Sequence, residues 1–144
     1  MSRLSIDQER AKYALNCRNE GMTVDKYGSH IESMPMMIHN SGLRNALAFA
    51  YSTGFLKDEG KDDKKADWKL LFEHLTYKYW FDPHKETTQF LLSKKPTDFD
   101  TKSRRDKASA VIEIFINLPD YEYRFVTQET ISLLNWIRKL VKGD

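Results

Sequence analysis

The chain has 144 residues, 23 basic and 21 acidic side chains, a net charge of +2 and a single cysteine, Cys17. That length suits one domain, spanning 1–144, that buries roughly 70% of its unfolded surface and needs neither metal nor disulfide to fold. The lone cysteine excludes an internal disulfide and a cysteine-rich zinc site and fits a reducing cytoplasm, while the even charge permits a nucleic-acid partner without announcing one.

Ser5-Ile6-Asp7-Gln8 reads as a capping box, and the following QERAKYALNCRNEG reads as a helix with Gly21 as its stop. No apolar leader precedes it, and no run approaches the roughly 20 apolar residues of a membrane span. Val24 to Ser33 reads as a short second helix that Pro35 interrupts or bends. Leu43, Ala46, Leu47, Ala50 and Tyr51 follow i, i+3, i+4, i+7, i+8, the apolar face of a third helix, with Gly54 as its C-cap and Phe55 folding back. Gly42 reads in two ways, as a bend between short helices or as a place where another backbone comes close.

KDEGKDDKK, from Lys57 to Lys65, holds four basic and four acidic residues and reads as a hydrated loop near 57–66. Trp68, Leu71, Phe72, Leu75 and Tyr79 form the next helical stripe, closed by Asp82-Pro83, and Thr87 to Ser93 reads as one or two helical turns. KKPTDFDTKSRR reads as a second, net basic linker near 94–103. Ala108, Val111, Ile112 and Phe115 give a helix ended by Pro119. VIEIFI would also suit a buried strand, but neither flank offers a hairpin partner. In the last helix Thr127 reads as the N-cap, Glu129 as a first-turn acid, and Val126 with Ile131 as a hydrophobic staple. Leu134, Ile137 and Val141 share its inner face, and Arg138, Lys139 and Lys142 suit its negative C-terminal end. The expected architecture is all-α, a compact bundle of about five to seven helices.

Catalytic chemistry is hard to find. His30, His39, His74 and His84 form no HExxH and no pair with zinc-ligand spacing, and they read as surface or helix-face histidines. Cys17 has no neighbouring base and reads as a small core residue. Asp62-Asp63 and Asp98 with Asp100 read as solvated turns beside lysines. No glycine-rich phosphate loop or nucleophile elbow occurs. Met34, Met36 and Met37 read as core filler, or else as an adaptable contact surface. Basic residues gather at Lys94, Lys95, Lys102, Arg104, Arg105 and Lys107, and at Arg138, Lys139 and Lys142. Such groups either neutralise phosphates or simply hydrate a surface. No cofactor, metal site or catalytic residue is expected.

ERAKYALNC, KYGSHIESMPMMIHNSGLRNALAF and YRFVTQETISLLNWIRKL, in that order and spacing, resemble the small helical subunit of the type III-B (Cmr) CRISPR effector complex. The resemblance touches both ends and about half of the chain. Ser41 stands where the family usually has Asn, and Arg44 where it often has a small residue, whereas Gly42-Leu43, Tyr123-Arg124, Thr127, Glu129, Leu133-Leu134 and Trp136 agree. Membership implies a protein without enzymatic activity that stacks head to tail with copies of itself. Beside other Cmr subunits these copies would line the groove holding crRNA paired with target RNA, in antiviral defence. The basic positions in or beside the matching motifs, Arg10, Lys26, Arg44, Arg138 and Lys139, are the candidate RNA contacts. Two other readings stand beside it. One is a stand-alone helical adaptor that binds only protein. The other is an enzyme assembled from distant residues such as His39.

Overall fold

Ser5 opens the first helix as its spacing predicts. Its hydroxyl accepts from the Gln8 amide at 3.1 Å while the Gln8 side chain accepts from the Ser5 amide at 2.8 Å, a complete capping box on α1 (Ile6–Gly21). The computed structural model describes residues 5–56, 66–82 and 89–142, with no strand among them. The loop reading of Lys57 to Lys65, and Pro83, His84 and Thr87, lie outside the described residues.

The second helix runs further than expected. α2 (Tyr27–Ser41) carries Pro35 in its interior. The proline removes one backbone donor, but Ile31, Met34 and Ile38 remain buried on one face, and that burial holds the helix through it. Gly42 then separates α2 from α3 (Leu43–Tyr51) at φ +87° and ψ 160°, a conformation open essentially to glycine alone. The bend is therefore local to the backbone.

A neighbouring helix also comes close here, since a Cβ on Gly42 would lie 3.3 Å from the Tyr123 hydroxyl, and a tighter approach occurs at Gly54. The C-cap expected there is not formed: Gly54 is buried within a π-helical turn, Ser52–Leu56, that continues α3. A Cβ at this position would come 3.0 Å from the Lys69 amide nitrogen and 3.2 Å from the Trp68 carbonyl carbon, so glycine lets this turn lie against α4 (Ala66–Leu75). Phe55 is buried against Phe72 and Tyr51. The Trp68-to-Tyr79 stripe is buried as expected, but it is broken at Thr76 into α4 and a single turn, α5 (Tyr77–Trp80).

A further turn, α6 (Gln89–Leu92), leads to the second linker, which is less hydrated than its composition suggests. Phe99 begins a 3-10 turn and is buried between the rings of Tyr77 and Phe81. Ser103 caps α7 (Arg104–Ile116), so VIEIFI is helical. The last helix, α8 (Asp120–Lys142), starts seven residues before the expected Thr127, with Asp120 and Glu122 in its first turn. Thr127 is no cap. It sits mid-helix, and its hydroxyl donates back to the Tyr123 carbonyl at 2.8 Å. Glu129 is likewise a buried mid-helix residue, and the expected staple has no helix start to close.

Val126, Leu133, Leu134 and Ile137 form the inner stripe of α8 and pack on α1 and α2. They belong to one buried cluster that draws residues from every described helix. Two buried carboxylates stitch this core. Glu129 accepts two bonds from Arg10 and one from Tyr79, joining α1, α5 and α8. Glu73 accepts two from Arg104 and one from Tyr77, joining α4 and α7. No helix among the described residues is long and apolar enough to cross a membrane.

Candidate nucleic-acid interface

The motifs single out five basic residues, and the fold treats them differently. Arg10 is committed inward. Its Nε and Nη2 donate to the Glu129 carboxylate at 2.7 and 2.8 Å, and the Glu129 side chain is only 3% exposed. This hydrogen bonding raises the Arg10 pKa above its ordinary value, against the opposing cost of burial. Arg44 is also tied down. It donates to the carbonyls of Phe115 at 3.1 Å and Leu118 at 2.7 Å, and its guanidinium lies 3.8 Å from the Tyr123 ring centroid. It thereby satisfies carbonyls at the end of α7 that a helix terminus would leave open. A small residue here could make none of these contacts.

The other three come together at one end of the molecule. α8 ends against the start of α2, where a Cβ on Gly28 would meet Val141 at 3.1 Å. Lys26 is exposed immediately before α2, and Arg138 and Lys139 occupy the last turns of α8. The Lys139 ammonium lies 5.6 Å from the Trp136 ring centroid, and the Trp136 indole donates to Asp7 at 3.0 Å, which fixes the ring. Lys142 shares this end but is paired with Glu32 at 2.8 Å. Cations spaced over a helix end in this way can bind phosphates without reading bases.

The basic group around the second linker is largely neutralised from within. Lys94 faces Glu122 at 3.3 Å, Lys95 faces Asp100 at 3.1 Å, and Lys102 faces Asp98 at 3.4 Å. Lys107 lies 5.9 Å from the ring centroids of both Tyr77 and Phe99. One exposed cation inside a matching motif is not among the five candidates. Arg124 lies between exposed Tyr121 and Phe125, with no ion pair among the described residues. Its signal is the start of α8: once the helix begins at Asp120, Tyr121, Arg124, Phe125 and Gln128 fall on one outward face.

Cys17 and His74, two groups able to do nucleophilic or acid–base chemistry, are packed away, whereas His39 is not. Cys17 is buried. His74 is buried, with Nδ1 2.7 Å from the Tyr27 hydroxyl and Nε2 3.2 Å from Glu20. Burial outweighs the Glu20 carboxylate and pushes the His74 pKa down to about 4. Burial also raises the phenol pKa of Tyr27, and of Tyr77 and Tyr79, whose hydroxyls donate to Glu73 and Glu129. His30 stacks on Trp68 at 3.8 Å and bonds Asp67 at 2.7 Å. His39 is exposed at the end of α2. Among the described residues no group of three or more His, Cys, Asp or Glu could hold a metal ion.

Residues 6–144 match the model of a family described as CRISPR-associated protein (Cas_Cmr5). Among curated proteins and solved structures, none matches the chain.

Proposed function

The chain belongs to the Cas_Cmr5 family, small subunits of the type III-B Cmr complex, and from that premise we propose that it is a non-catalytic structural subunit of this RNA-guided effector. In this reading copies of the chain stack head to tail beside the other Cmr subunits, along the crRNA–target RNA duplex, and support target binding in antiviral defence. Each copy acts as one domain in the cytoplasm. The observation that carries the reading is the family match, which covers nearly the whole chain.

The geometry supports it in physical terms. A wall around a guide–target duplex must accept any sequence, so it holds the duplex by shape and phosphate contacts. Such a wall needs outward cations on one region and no catalytic constellation. Exposed Lys26 and Lys139, with half-buried Arg138 beside them, supply that region at the α2/α8 end, and Arg124 adds a further cation on the outward face of α8. Arg10 and Arg44 contribute from inside, holding the helices that present those cations.

Two measurements test the proposal. Tagged protein purified from its native host should bring down Cmr subunits and RNA. In the assembled complex, replacing Lys26, Arg138 and Lys139 with Ala should weaken target binding and flatten its log–log salt dependence, by about 0.7 to 0.9 for each phosphate no longer neutralised. A stand-alone protein adaptor would show neither the RNA nor the salt dependence, and either result would discard the proposal.

A further inference from the structure

A surface helix normally turns a mixture of acidic and basic side chains to solvent, and the outer side of α8 does not. At about 100° per residue, Tyr121, Phe125, Gln128, Ser132, Asn135 and Lys139 fall within about 40° of one line along the helix. Ser132 is half-buried and the other five are exposed, Tyr121 by 72% and Phe125 by 43%. Arg124 flanks the line, exposed and without an ion pair among the described residues. At about 1.5 Å per residue the strip is about 27 Å long, and it runs from an aromatic end to the basic α2/α8 end.

No carboxylate of α8 stands on this strip. Asp120, Glu122 and Glu129 lie about 80–100° around the helix from its centre line. Glu122 faces Lys94 at 3.3 Å, and Glu129 is buried against Arg10. Asp7 of α1, which accepts from Trp136 on the flank, is 3.6 Å from Arg10. A strip with cations near both ends, amides and a hydroxyl between them, and no acid suits a polyanion.

The two rings add something that phosphates do not require. Phe125 meets the buried Trp80 ring edge-on at 6.5 Å, which holds it in place, and the Tyr121 hydroxyl has no hydrogen bond among the described residues. One helical turn sets the two rings about 6 Å apart along the axis, nearly twice the roughly 3.4 Å between stacked bases of one strand. Bases inside a duplex have their faces covered, so only unpaired, unstacked bases can lie on exposed rings with this spacing.

We propose that the outer strip of α8 is a track for single-stranded RNA, on which unpaired bases stack against Tyr121 and Phe125 while Arg124 and Lys139 hold phosphates. The track rests on the RNA-guided reading above and goes beyond it, because that reading needs only phosphate contacts to a duplex.

Fluorescence anisotropy with the purified chain tests it, using three probes: an oligouridylate, an abasic strand of equal length, and an RNA duplex. The oligouridylate should bind more tightly than either of the others. Tyr121→Ala and Phe125→Ala should each weaken its binding about fivefold or more without changing the log–log salt slope. Arg124→Ala and Lys139→Ala should each flatten that slope by about 0.7. Tyr121→Phe keeps the ring and should keep the affinity. Tyr121 is exposed, so the fold tolerates both of its substitutions even if Phe125→Ala unfolds the chain. Equal affinity for the abasic strand, or an unchanged affinity in Tyr121→Ala, overturns the track and leaves the phosphate contacts of the RNA-guided reading standing. A chain with no measurable affinity for oligouridylate overturns the track as well. Failure of the tagged chain to bring down Cmr subunits overturns the RNA-guided reading instead. If Tyr121→Ala blocks incorporation into the Cmr complex but leaves oligouridylate binding unchanged, the strip belongs to a protein partner and the proposal fails.

Discussion

Replacing Arg10 with Met tests how the core is held. In the native protein the Glu129 carboxylate is buried and accepts three hydrogen bonds, two from Arg10 at 2.7 and 2.8 Å and one from Tyr79 at 2.6 Å. Arg10→Met removes two of the three donors and the only adjoining cation among those partners. A buried charge stripped of its partner costs about 3–5 kcal/mol. Arg10 keeps some solvent access, with 20% of its side chain exposed, which places the expected loss near the lower end of that range. Against a total stability of about 5–15 kcal/mol, this is a large fraction. It corresponds to a Tm lower by roughly 10 °C, at about 2–4 °C per kcal/mol for a chain near this size. Denaturant unfolding followed by circular dichroism reads the loss. The double variant Arg10→Met with Glu129→Leu should regain most of it, because the buried charge has gone. A loss below about 1 kcal/mol would refute the reasoning, since that is what an exposed pair contributes. So would a variant of normal stability whose complex binds RNA with a flatter salt dependence, because Arg10 would then face the nucleic acid.

Three other outcomes follow from the same geometry. His74 has a folded pKa of about 4, below its ordinary 6.5, so the unfolded chain binds the proton more readily. Stability should therefore fall as pH drops from about 6.5 toward 4, by at most about 3 kcal/mol, and His74→Gln should flatten that part of the stability–pH curve. Gly54→Ala should destabilise by about 1–3 kcal/mol through its clash with the backbone of Lys69 and Trp68, and Gly42→Ala by a similar amount, chiefly through φ strain and in part through a 3.3 Å contact with the Tyr123 hydroxyl, both measured by urea unfolding. Thr127→Ala should leave stability within about 0.5 kcal/mol of the native value or raise it, whereas an N-cap threonine would cost about 1 kcal/mol when removed.

Local chemistry was legible wherever one segment contained its own cause. The capping box at Ser5 and Gln8, the stripe from Leu43 to Tyr51, and the helical nature of VIEIFI all depend on neighbours within a few turns, and the structure keeps them. The all-α class follows from the same short-range periodicity, and the quoted motifs already pointed to the family whose model the chain matches. The errors share a cause as well. Pro35 stays inside α2, Gly54 lies in a π-helical turn, and α8 begins at Asp120 instead of near Thr127, because in each case contacts far along the chain outweigh the local signal. The same holds for charge. An arginine looks alike in sequence whether it meets water, RNA or Glu129. Only tertiary packing set Arg10 against a carboxylate 119 residues away and Arg44 against carbonyls more than 70 residues away, while it left Lys26 and Lys139 exposed and Arg138 half-buried at one end. Short-range periodicity determines which segments coil. The burial of one face against another determines where the coils stop and which charges remain for a partner.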